Sequence, residues 1–104
     1  MSEFTDEELA ALIEDAVVDA YDDSEQFMGM MVMVQEHLEL PFTTELLGVE
    51  VSVVDVEERG LSIVAICARG EHRQAIPLTD LPIPEPPPEG VEWIAAWLLF
   101  ASRY

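Results

Sequence analysis

The sequence contains no lysine, a single cysteine and no long apolar run. Without lysine, four arginines stand against 22 acidic residues and the net charge is −18. A chain so charged repels phosphate backbones, which argues against nucleic acid as a direct ligand; cations and basic proteins are its natural partners. A lone Cys67 can form neither an internal disulfide nor a thiolate zinc cage. No apolar stretch approaches the roughly 20 residues that cross a bilayer, and no basic segment leads into an apolar run at the start. A cytoplasmic protein with no membrane contact is therefore expected. Catalytic groupings are missing as well. His37 and His72 lie far apart, no motif pairs either with Cys67, and no glycine-rich loop or nucleophile accompanies the carboxylates, so the chain does not read as an enzyme.

Half of the 104 residues are hydrophobic, so the chain is not a disordered acidic tail. Its length suits a single domain, 1–104. Thr5 and Glu8 have the spacing of a capping box, and Asp6, Glu7 and Glu8 suit the first turn of a helix. From there Leu9, Ile13, Ala16, Val17, Ala20, Phe27, Met28, Met31, Val34 and Leu38 fall on one stripe at about 100° per residue, predicting helix over 6–40. An unbroken helix over 6–38 would be about 50 Å long, too long for a compact chain of this size, so a bend is expected near Asp22, Asp23 and Ser24, or at Gly29. Phe27 to Val34 is apolar on nearly every side and is expected to be buried all round. Pro41 ends the helical part.

The period then changes to 2. Val49, Val51 and Val53 alternate with polar residues, Leu61 to Ala68 is a short β-branched run, and His72 to Leu78 is a third, giving an antiparallel β-meander or SH3-like barrel over 45–82. Glu57 to Gly60 and Gly70-Glu71 supply the turns. Residues 82–88 form a stiff proline-rich connector, and 89–103 a C-terminal helix with Trp93, Trp97, Phe100 and Tyr104 on one side. That helix is too apolar for water, so it docks on the body of the domain or on a second subunit. Cys67, within an apolar strand, reads as core. The fold class is α+β.

The acidic run Asp15 to Glu25 is the candidate site. On a continuous helix Asp15, Asp19 and Asp22 lie within about 60° of one another, and like charges so spaced destabilise by a few tenths of a kcal/mol per pair. A hard cation neutralises them, and calcium accepts irregular sets of six to eight oxygens. A solvated acidic face is the simpler account of the spacing alone. The EF-hand pattern D-x-[DN]-x-[DN]-G is absent.

Val18-Asp19-Ala20-Tyr21-Asp22, then Glu25, Met28-Gly29, Leu38 and Pro41-Phe42, resembles the opening of the small acidic bacterial calcium-binding proteins first described in cyanobacteria. Ala75-Ile76-Pro77-Leu78 with Leu81 is similar to that family's closing strand. The resemblance implies an α+β fold that is not an EF-hand and Ca2+ bound through Asp19, Asp22, Asp23, Glu25 and Glu36. Two functions follow as alternatives: a cytoplasmic calcium buffer or sensor, or a metal-free acidic adaptor or inhibitor for a basic or apolar protein partner. The apolar C-terminal helix offers a route to oligomers.

Overall fold

In a computed structural model describing residues 4–103, the elements follow the order α1 (Asp6–Ala16), α2 (Asp23–His37), β1 (Phe42–Leu46), β2 (Val49–Arg59), β3 (Ser62–Arg69), β4 (His72–Pro77), a 3-10 turn (Leu78–Asp80) and α3 (Val91–Arg103). The expected α+β class holds. Two compact units divide the chain: a helical unit from the residues up to Leu38 and from Gly90 onward, and a sheet unit, Glu39–Glu89, inserted between α2 and α3.

In the helical unit, α1 starts on the expected capping box. Thr5 Oγ1 accepts from the Glu8 N–H at 3.1 Å, and Glu8 Oε1 accepts from the Thr5 N–H at 2.9 Å. The bend falls at residues 17–22, with Asp23 and Ser24 already inside α2. Gly29 does not break the helix. It lets α1 and α2 approach, because a Cβ there would collide with the Ala16 carbonyl. The prediction is that Gly29→Ala lowers thermal stability by about 1–3 kcal/mol through overpacking, outweighing the gain of up to about 1 kcal/mol in helix propensity; chemical denaturation measures the balance.

Burial corrects the expectation for α2. Phe27, Met30, Met31 and Val34 are buried, but Met28 is 42% and Val32 44% exposed. At 100° per residue the four buried positions span an arc of about 100°, and Met28 lies outside it. A segment apolar on all sides therefore has one dry face and one wet face. The aromatic face of α3 completes the core: Trp97 packs edge-on to Phe27 and stacks on Phe100, each with centroids 5.6 Å apart, and Trp93 stacks on His37 at 5.4 Å. Arg103 Nη2 reaches Asp6 Oδ2 at 3.2 Å. The expected docking of this helix is on α1 and α2, with Leu98 left partly exposed. The expected place of Tyr104 lies outside the described residues.

The sheet unit is a four-stranded antiparallel meander ordered β1-β2-β3-β4. β1 was not expected as a strand, and Glu57, Glu58 and Arg59 belong to β2, so the turn to β3 is Gly60-Leu61. Leu78 opens the 3-10 turn instead of extending β4. A bulge between Val53 and Asp55 resets the alternation of β2, which is how Val53 and Val56, three apart, are both buried. β3 supplies Ile63, Val64, Ala65 and Cys67 to the interior. Burial pushes the Cys67 thiol above its ordinary range by disfavouring the thiolate, in keeping with a core residue.

Residues 82–90 contain neither helix nor strand. The connector is fastened at both ends: Thr44 Oγ1 donates to the Pro82 carbonyl at 2.7 Å, and the Glu39 N–H donates to the Glu89 carbonyl at 2.9 Å.

Leu46 pairs with Val49 across a two-residue turn in which both Leu47 and Gly48 have positive φ, 52° and 79°. That geometry suits Asn-Gly, whereas leucine is strained in it and is here fully exposed. Leu47→Asn is expected to raise stability by about 0.5–1 kcal/mol, read as a higher melting temperature.

Candidate metal centre

The acidic run divides at the end of α1. Asp15 lies in that helix, while Asp19 and Asp22 lie in the connection formed by residues 17–22, so the three do not share one helical face. The Val17 N–H donates to the Ile13 carbonyl and the Ala20 N–H to the Val17 carbonyl, which closes α1 and turns the chain. The turn is exposed throughout its acidic part and carries Tyr21 at 92% and Val18 at 75% exposure.

Asp22 and Glu25 have a structural task. Asp22 is the N-cap of α2, its Oδ1 accepting from the Glu25 N–H at 2.9 Å, while Glu25 Oε1 accepts from the Tyr21 N–H at 2.7 Å. The D-x-x-E spacing is thus a variant of the capping box, legible in the sequence at the residues that also suggest a metal. Asp22→Ala is expected to cost about 1 kcal/mol by unfolding titration, and Asp22→Asn little, since asparagine caps as well as aspartate.

Asp19, Asp22, Asp23 and Glu25 therefore all lie in or beside the connection between α1 and α2. Glu36 does not join them: eleven residues beyond Glu25 on the same helix, it stands about 16 Å further along the axis. As donors the corner residues suit a hard cation, because each is an exposed carboxylate, and Asp22 and Glu25 each have a second oxygen besides the one used in capping. Among the described residues no three His, Cys, Asp or Glu side chains converge to hold a metal.

A second concentration of acid was not anticipated. Thr43, Glu45, Glu50 and Glu85 help to line a cleft of about 480 Å3 in the sheet unit, where Glu45 and Glu50 are directly paired across β1 and β2. Like charges so placed oppose pairing. The signal was hidden because it depends on β1 and on the Leu47-Gly48 turn, which fixes the register.

A small acidic α+β protein with exposed carboxylates along the turn between two helices offers oxygen donors of the kind that suit a hard cation. The CcbP family, described as calcium binding, matches residues 11–101, and the chain belongs to it. It is similar in fold to the crystal structure of Anabaena CcbP, with a TM-score of 0.74 at 23% identity over 99% of this chain and 97% of the other. A calcium-binding protein in its calcium-binding form is matched with a TM-score of 0.75 at 22% identity over the same shares. No curated protein matches in sequence.

Proposed function

We propose that this protein binds calcium at the α1–α2 corner and serves as a buffer in the cytoplasm. The observation that carries the reading is the concentration of Asp19, Asp22, Asp23 and Glu25 within seven residues at a bend already fastened by its own capping bonds. These side chains would hold the ion with backbone carbonyls and water completing its shell, and the ion would supply the positive charge that the corner lacks. Because no three carboxylates among the described residues converge beforehand, the carboxylates must close on the ion. A connection of six residues, against twelve in an EF-hand loop, supports a site of another type. Fastened helix ends favour a buffer over a sensor, since little helix need form on binding.

Calorimetric titration with calcium in a physiological background of magnesium tests the site. Heat that disappears in Asp19→Asn/Asp22→Asn and persists in Glu36→Gln and Glu50→Gln is the expected result; loss in Glu50→Gln instead would move the site to the cleft of the sheet unit.

A further inference from the structure

We propose that the exposed face running from Tyr21 along α2 to Val32 docks a basic amphipathic helix. Glu25, Met28, Val32, Gln35 and Glu36 fall within an arc of about 100°, turned away from buried Phe27, Met30, Met31 and Val34. All five are exposed, and the bond from the Tyr21 N–H to Glu25 Oε1 brings the start of α2 and the tyrosine together. Met28 and Val32 are the apolar part of this face, exposed Tyr21 stands just before its start, and the carboxylates of Asp19, Asp22 and Glu25 lie toward that end with Glu36 toward the other.

The charge of the chain selects the occupant. No lysine or arginine precedes Arg59, whereas eleven acidic residues precede Leu38. The helical unit has one arginine, Arg103, and it is engaged with Asp6. A second copy, itself at −18, would be repelled; a helix with lysine or arginine flanking an apolar stripe complements the face in both respects. Methionine suits the role, because its unbranched thioether adapts to different partners. The exposed Leu47 and Leu61 of the sheet unit differ in kind, each standing at a hairpin tip. Binding at this face does not rest on calcium.

The test uses the full chain in the presence of a chelator. The probe is a labelled helical peptide of about 18 leucines and lysines with leucine at i, i+3, i+4 and i+7, beside a scrambled peptide of the same composition. Fluorescence anisotropy is expected to show binding that weakens roughly tenfold or more in Met28→Gln/Val32→Gln and in Tyr21→Ser, and by less than about twofold in Leu47→Gln/Leu61→Gln. The scrambled peptide is expected to bind at least roughly tenfold more weakly. The three substituted residues are exposed, so the melting temperature should hold. No binding, equal binding of the scrambled peptide, or unchanged binding by the Met28→Gln/Val32→Gln and Tyr21→Ser variants overturns the proposal. So does a wild-type dimer that Met28→Gln/Val32→Gln converts to monomer, for then a second copy covers the face.

Discussion

Trp97→Ala is expected to remove about 3–5 kcal/mol of stability and to leave the helical unit close to unfolding at ambient temperature. Trp97 is 3% exposed and ties two helices together: its ring meets Phe27 of α2 edge-on and stacks on Phe100 within α3. Truncation removes the transfer energy of an indole, opens a cavity between α2 and α3, and forfeits two aromatic pairs worth about 0.5–1.5 kcal/mol each beyond burial. Small domains have total stabilities of only about 5–15 kcal/mol, so the loss is a large part of the whole. Self-repulsion at −18 makes the margin smaller still. Leu98→Ala, on the partly exposed side of the same helix, is the comparison and should cost far less. Denaturant unfolding followed by far-UV circular dichroism reads both; equal losses would show that the aromatic cluster does not hold the unit together.

The second large effect concerns calcium and has opposite signs in its two arms. At a free ion concentration about 100 times the dissociation constant, a ligand bound by the folded state alone adds about 2.7 kcal/mol, which for a chain of this length raises the melting temperature by about 10 °C or more. Asp19→Asn/Asp22→Asn should abolish that rise. In chelator the same variant should melt at or slightly above the wild type, since it removes two like charges while an asparagine in place of Asp22 still caps α2. Asp22→Ala separates the two roles of that carboxylate, being less stable with and without calcium. A double variant that melts low in chelator would mean the carboxylates hold the fold by themselves. A calcium-induced rise that survives in the variant would place the ion elsewhere.

These expectations draw unequally on sequence and structure. The acidic corner was legible because its signals are local: Asp19, Asp22, Asp23 and Glu25 lie within seven residues, and the residues around them carry the family likeness. What was not legible there was the division of labour. The apolar stripe keeps its phase across residues 22–24, so periodicity could not place the bend; hydrogen bonding by Asp22 and Glu25 does, and both residues were read as ligands alone. Glu36 was joined to them by the family likeness alone, and a straight helix carries it about 16 Å away.

The sequence by itself determined the α+β class, the start of α1 at the Thr5–Glu8 capping box, the core placement of Cys67 and the apolar character of α3, each written in neighbouring residues or in composition. Tertiary structure decided which face of α2 is dry, since nearly every residue there is apolar and only packing against α1 and α3 chooses Met30 over Met28. It also decided the strand register, because the unexpected β1, the strained Leu47-Gly48 turn and the bulge after Val53 fix which carboxylates meet. Burial and cross-strand pairing are properties of partners distant in the chain, and no local pattern encodes them in full.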